Sequence, residues 1–261
     1  MSFDYILNPF RFLLNIFSYI CIMIIMKKKI LFFTGAGVSK ESGIETFRDS
    51  KDSLWNNYRI EDVATIDAWR KNRQLVLDFY NARRAQLSSV HPNMAHDIIA
   101  GLESDYEVTV VTQNVDDLHE RAGSANIVHL HGQLNKSRSC FPGSTETYDC
   151  HGDISIGDKC PRGAQLRPHI VWFGENLDPL DIEKAAEAAT DCDICVIVGT
   201  SMQVFPANQI PFLSKEDCRI FYIDPSDGDF YVPEFRQPFF MHIKEPATTG
   251  MQKLANILKD A

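Results

Sequence analysis

Thr34-Gly35-Ala36-Gly37-Val38-Ser39-Lys40-Glu41-Ser42-Gly43-Ile44-Glu45-Thr46-Phe47-Arg48-Asp49 follows a short apolar run, Lys27-Lys28-Lys29-Ile30-Leu31-Phe32-Phe33, that reads as a buried strand. Glycines at 35 and 37 permit positive φ and close approach of a ligand to the backbone. A strand, a glycine turn and a helix start together present N–H groups to a phosphate. The ordinary dinucleotide fingerprint Gly-x-Gly-x-x-Gly is not met, because Lys40 stands where the third glycine belongs. Gly-Ala-Gly alone is a common turn. The tail, Ser42-Gly43-Ile44 with Thr46-Phe47-Arg48-Asp49, makes the string specific.

Around this string, a chain of 261 residues has room for one large domain carrying a smaller insert. A hydrophobic content of 44% and a charged content of 23% are those of an ordinary globular protein. The net charge of -9 argues against nucleic acid as a partner, since phosphate backbones are bound by clustered Lys and Arg; an acidic surface suits basic peptides better. Seven cysteines (Cys21, Cys140, Cys150, Cys160, Cys192, Cys195 and Cys218) are odd in number and scattered, which fits reduced thiols and a cytoplasmic setting. Cys140, Cys150 and Cys160 are spaced too widely for paired Cys-x-x-Cys ligands, even with His151 nearby, so the residues argue against a structural zinc site.

Residues 1–25 differ in character from the rest of the chain. Phe12 to Met26 is nearly all apolar but falls short of the ~20 apolar residues that span a bilayer, and no small-residue cleavage site precedes the lysines. A membrane anchor, a buried helix and upstream translation compete, and Met26-Lys27-Lys28-Lys29-Ile30 favours the last by offering its own start.

Further on, Asp52 to Ile66 reads as irregular structure with short helices, and Ala68 to Leu87 as a helix that puts Tyr80 and Arg83 on one face. A helix to about Leu102 begins at His91-Pro92-Asn93, with Asn93 as cap. Strands are predicted at Glu107 to Thr112, Ile127 to Leu130, Ile194 to Val198 and Arg219 to Asp224, and helices at Asp181 to Ala189 and about Gly250 to Lys259. Alternation of this kind predicts an α/β fold with a Rossmann-like, doubly wound parallel sheet. Residues 133–165 lack periodicity and read as an insert, after which Leu166 to Glu175 is extended and offers a strand edge to a peptide. The domain plan is an extension over 1–25 and one catalytic domain over 26–261. Its Rossmann-like part is about 26–48, 88–131 and 166–261; its small module is about 49–87 and 132–165. Gln113, Asn114 and Asp116 lie just past a strand's carboxyl end, where open α/β sheets bind ligands. His131 falls at the same edge, as a candidate general base. Gly199-Thr200-Ser201 is a second small-residue turn at a strand end.

From Lys28 onward the chain resembles the sirtuins, the NAD-dependent protein lysine deacylases. The strings that carry the resemblance are Gly35-Ala36-Gly37-Val38-Ser39 with Thr46-Phe47-Arg48-Asp49, Thr112-Gln113-Asn114-Val115-Asp116, His129-Leu130-His131-Gly132, Val171-Trp172-Phe173-Gly174-Glu175, and Gly199-Thr200-Ser201 with Val204 and Pro206-Ala207. The resemblance implies NAD as cofactor, acylated lysine-bearing proteins as partners, and an acyl-lysine tunnel between the two parts. It implies that the acyl oxygen displaces nicotinamide and that His131 takes a proton from a ribose hydroxyl, on the way to O-acyl-ADP-ribose and free lysine. By the same likeness Asn114 and Asp116 hold the nicotinamide end, Gln113 contacts ribose, and Ala36 and Arg48 line the pyrophosphate and ribose. Gly35, Gly37, Ser39, Thr46 and Phe47 belong to that cofactor surface, while Gly199, Thr200, Ser201 and Asp224 take the adenosine side. Val171 to Glu175 is the substrate segment.

Within the family, Tyr80 and Arg83 resemble the Tyr-x-x-Arg pair of members that remove succinyl, malonyl or glutaryl groups, and Ala64 resembles the small residue that widens their acyl pocket. Arginine suits a distal carboxylate because it can bind both oxygens. Two features depart from the pattern: both Cys-x-x-Cys pairs of the family's structural zinc are broken, and Asp224-Pro225 replaces a common Asn. An NAD glycohydrolase or ADP-ribosyltransferase is the alternative reading, separated by whether nicotinamide release requires an acylated peptide.

Overall fold

A computed structural model describes residues 27–44, 58–228 and 230–260. The N-terminal extension therefore lies outside the described residues, as do the expected cofactor residues Thr46, Phe47 and Arg48.

Six strands form one sheet in the order β3-β2-β1-β7-β8-β9, with every neighbouring pair parallel. β1 (Lys29–Thr34) lies in the middle and is buried from Ile30 onward. Its residues alternate between two cores. Ile30 and Phe32 pack under α5 (Met94–Gly101) and α8 (Ala247–Lys259), and Leu31 and Phe33 under α7 (Pro179–Asp191). A parallel strand covered on both faces must be apolar throughout, which explains the unbroken runs of β1, β2 (Glu107–Thr112), β7 (Ile194–Val198) and β8 (Arg219–Ile223). β3 (Ile127–His129) closes one edge. β9 (Phe240–Ile243) closes the other and adds a sixth strand to the five predicted; only Ile243 of it is buried, so its sequence gives a weak signal. The chain leaves β1 toward β2 and β3 and later returns to β1's other side as β7, which puts the topological switch point between the carboxyl ends of β1 and β7.

A second sheet is antiparallel, ordered β5-β4-β6: β4 (Gly132–Ser139), β5 (Thr147–Asp149) and β6 (Leu166–Ile170). Arg138 of β4 pairs with Arg167 of β6. The extended stretch beginning at Leu166 therefore belongs to this small sheet, whereas the sequence boundary at 166 put it in the Rossmann-like part. On it pack α2 (Ile60–Val63), α3 (Ile66–Lys71) and α4 (Arg73–Leu87), sharing a core of Val63, Trp69, Phe79, Tyr80, Leu134 and Trp172. The single helix predicted over Ala68 to Leu87 is broken at Asn72, whose backbone leaves helical geometry and whose side chain caps α4 at Leu75 N. Asn93 caps α5, as expected, in a capping box completed by His96.

Among the described residues no group of three or more His, Cys, Asp or Glu side chains could hold a metal ion. Cys160 is buried and receives the Ser139 hydroxyl, and Cys150 donates to the Gly152 carbonyl.

Candidate active site

At the switch point two turns meet backbone to backbone. Gly35 N donates to Val198 O at 3.0 Å and Gly37 N to Gly199 O at 2.8 Å. A Cβ at Gly35 would lie 2.6 Å from Thr200 Cβ, and one at Gly37 2.7 Å from Gly199 Cα. These glycines thus serve the contact between turns, and their N–H groups are bound to protein carbonyls instead of being offered to phosphate. The helix that follows, α1 (Gly37–Lys40), is one turn long.

β2 delivers the polar cluster. Asn114 and Asp116 are each 6% exposed. Ser39 joins them: its hydroxyl donates to Asp116 Oδ2 at 3.0 Å and accepts from Asn114 Nδ2 at 3.1 Å. Asp116 Oδ1 also receives Leu118 N, at the start of α6 (Leu118–Ala122). Burial raises the Asp116 pKa, opposed by these two donors. Beneath lies a polar layer the sequence reading missed. Thr34 and Thr112 share a 2.8 Å hydrogen bond, Thr112 Oγ1 accepts Asn114 N, and His119 Nε2 sits 3.0 Å from Thr34 Oγ1. His96, on α5, approaches Ser39 at 3.4 Å. Polar residues ending otherwise apolar strands, as Thr34 and Thr112 do, were the available signal.

His131 follows β3 and is half-buried. Its Nδ1 lies 3.0 Å from the Gln113 carbonyl, which can only accept, so Nδ1 carries the proton and Nε2 keeps its lone pair. Burial lowers its pKa, partly offset by the Gln113 carbonyl. Gln113 in turn donates its side-chain amide to Thr200 Oγ1 at 3.0 Å, and Thr200 touches the Gly35 turn. Contacts therefore run from imidazole to glycine turn without a break. Gly132 must follow: its φ is +83°, and a Cβ would fall 2.1 Å from His169 O. Asp224, beyond β8, accepts from Ser226, and half-buried Ser201 follows Thr200.

The substrate residues divide. Ala64 is buried beside Val171–Phe173, receiving Phe173 N at 3.0 Å. Tyr80 is buried, its hydroxyl accepting the Trp172 indole at 3.0 Å, and burial pushes its pKa up to about 12, so it stays a neutral donor. Arg83 is half-buried, near enough to Tyr80 to act on its titration, with its guanidinium 5.8 Å from the Phe79 ring centre. Trp172 and Glu175, by contrast, turn inward. Arg167 stacks 3.8 Å over the indole and makes a bidentate pair with Glu175 at 2.7 and 2.6 Å. The N–H groups of Val171, Trp172 and Phe173 are bound within the chain, so this segment lacks the ladder donors expected of a peptide-accepting edge. Phe173 is 50% exposed and Gly174 turns at φ +84°.

A profile described as the Sir2 family matches residues 35–206. The NAD-dependent protein deacylase of Aggregatibacter actinomycetemcomitans is 45% identical over 208 residues, covering 80% of this chain and 98% of the relative. That of Helicobacter pylori strain 26695 is 45% identical over 227 residues, covering 87% and 96%. Among solved structures, a Sir2 homolog in complex with NAD matches with a TM-score of 0.77 at 36% identity, covering 90% of each chain. A mutant Sir2 homologue bound to ADP ribose matches at 0.78 and 35%, covering 90% and 93%.

Proposed function

The chain belongs to the Sir2 family, and on that premise we propose that it removes acyl groups, acidic ones in preference to acetyl, from protein lysines. It is an NAD-dependent protein deacylase acting on acylated proteins. The observation that carries the reading is His131, fixed by the Gln113 carbonyl as a base with a free Nε2 and linked by contacts to the glycine turn.

When bound, NAD supplies an electrophilic ribose carbon whose bond to nicotinamide is the one that breaks. The residues fit such a group: a buried amide and a buried carboxylate, Asn114 and Asp116, complement a carboxamide. Ser39 locks the two side chains together from behind. Gln113 and Thr200 offer polar groups to a ribose, with Gly199, Ser201 and Asp224 beyond them. His131 Nε2 takes a proton from a ribose hydroxyl, a task for which a neutral imidazole at working pH is suited. Thr46, Phe47 and Arg48 complete the cofactor surface by family likeness alone.

For the acyl group, Ala64 leaves room, Arg83 binds the distal carboxylate, and the Tyr80 hydroxyl donates a further hydrogen bond. The reaction belongs in the cytoplasm, a setting that the free thiols of Cys140, Cys150, Cys160, Cys192, Cys195 and Cys218 fit.

The test is mass spectrometry of NAD-dependent deacylation across succinyl-, malonyl- and acetyl-lysine peptides, with His131→Tyr as control. Nicotinamide release should require the acylated peptide and vanish in the control. Arg83→Met should lose roughly tenfold or more on succinyl-lysine, the weight of a charge-assisted hydrogen bond, while keeping its rate on acetyl-lysine. Equal loss on both refutes the selectivity role.

A further inference from the structure

His129 and Glu120 stand behind the site and take no part in the proton transfer assigned to His131. His129 ends β3, and His131 follows two residues later in the turn before β4. Their Nδ1 atoms reach consecutive carbonyls of one loop: His131 that of Gln113 and His129 that of Asn114, each at 3.0 Å. The two rings differ at the other nitrogen. His129 Nε2 lies 2.7 Å from Glu120 Oε1, which also accepts from Gln133 at 3.3 Å.

A carbonyl and an ionised carboxylate are acceptors only. A neutral imidazole has one proton, so between these two oxygens it would set a lone pair against an acceptor on one side. Only the doubly protonated ring satisfies both. We propose that protonated His129, clamped between the Glu120 carboxylate and the Asn114 carbonyl, is a positioning residue that holds the Asn114 loop for catalysis, and that losing its proton sets an alkaline limit on activity. The inference deepens the deacylase reading and rests on it for the role of Asn114.

The surrounding charges agree. Glu120 touches the ring, and His119 of α6, Asp116 after β2, Asp181 of α7 and His169 of β6 are near enough to interact with it electrostatically. Burial disfavours the cation, but Glu120, the Asn114 carbonyl and Asp116 outweigh it and raise the pKa. His169 is pushed down to about 4 and His119 well below its ordinary value, so neither adds positive charge near neutrality. When the ring gives up one proton, the other stays on Nε2, toward the stronger, charged acceptor. Nδ1 then turns a lone pair to the Asn114 carbonyl, and the displacement reaches the Asn114 amide on Ser39.

The experiment is kcat against pH for wild type, Glu120→Gln and His129→Phe, with imidazole nitrogen NMR of the wild type at neutral pH. The wild type should show both His129 nitrogens protonated, and its kcat should fall about tenfold on the alkaline side, the weight of one charge-assisted hydrogen bond. In Glu120→Gln the carboxamide can turn its NH2 toward Nε2. A neutral ring then keeps Nδ1–H on the Asn114 carbonyl, and the alkaline fall disappears. His129→Phe should raise KM for NAD and weaken nicotinamide inhibition at every pH. One proton on the ring at neutral pH, or an alkaline fall unmoved in Glu120→Gln, overturns the proposal; acyl-dependent nicotinamide release at neutral pH would still uphold the deacylase reading.

Discussion

Gly199 has almost no room for change. Its φ is +60°, and a Cβ there would lie 2.4 Å from Val38 N. The obstacle is backbone, which cannot swing aside. Gly199→Ala should therefore combine left-handed strain with a forced separation of the turns, costing about 3 kcal/mol or more. Thermal unfolding and NAD titration check this, and a variant with wild-type melting temperature and affinity would disprove it. Sequence reading found this glycine, and Gly35 and Gly37, but assigned them to a ligand, because a glycine string does not reveal whether the close neighbour is a phosphate or another turn. His131 was legible for its place after a strand; its tautomer was not, since that depends on the Gln113 carbonyl from a different strand. Because burial holds its pKa below the ordinary imidazole value, the base is free at neutral pH. The acid limb of kcat/KM for NAD should accordingly lie below pH 6.5, the ordinary imidazole value. A limb above that value would exclude His131 as the titrating base.

Among the elements, α4 does two jobs. Tyr80 and Arg83 are the residues proposed to meet the acyl group, and Asn81 and Arg84 hold the small module. The Asn81 amide exchanges hydrogen bonds with Ile154 N and O, both at 3.0 Å. Arg84, 3% exposed, donates Nε to Leu134 O at 2.7 Å and Nη1 to Gly152 O at 3.1 Å. One helix is thereby tied to β4 and to the loop after β5, the parts a metal would otherwise draw together. Arg84→Ala would strand two carbonyls and empty a buried site, costing about 2–5 kcal/mol. In a chain this long that is roughly 5–15 °C of melting temperature. Dialysis against a chelator should leave the melting temperature unchanged; a drop on chelation, or one bound zinc per chain, would show that metal holds the module. The clamp was not legible because its partners are main-chain atoms some fifty or more residues away, and side chain to backbone pairing leaves no spacing to read. The same blindness put Leu166–Ile170 in the Rossmann-like part: a short apolar strand carries no mark of its partner.

The parallel sheet was legible strand by strand, from apolar runs at β1, β2, β7 and β8, yet its order was not, since runs buried on both faces look alike. Nor was the polar layer between that sheet and the loops above it. There the rings of His96 and His119 meet edge to face, 4.9 Å apart, both essentially unexposed. Burial pushes His96 down to about 4 and His119 well below its ordinary value, the latter helped by His96 and His129. Both are thus neutral in the folded protein, while in the unfolded chain they take protons near the ordinary value of 6.5. From pH 6.5 down toward 4 the unfolded state binds more protons, so stability that is fully present above 6.5 drains away through that window. His96 alone accounts for up to about 3 kcal/mol of the loss. Asp116, with its raised pKa, works in the opposite sense, but it is one carboxyl against two imidazoles. Urea midpoints should therefore fall between pH 7.5 and pH 5, and His119→Gln, which removes one of the titrating rings, should fall less steeply. A midpoint that does not change over that range would mean that the two rings accept protons without unfolding the protein, and that the layer beneath Asn114 is open to water.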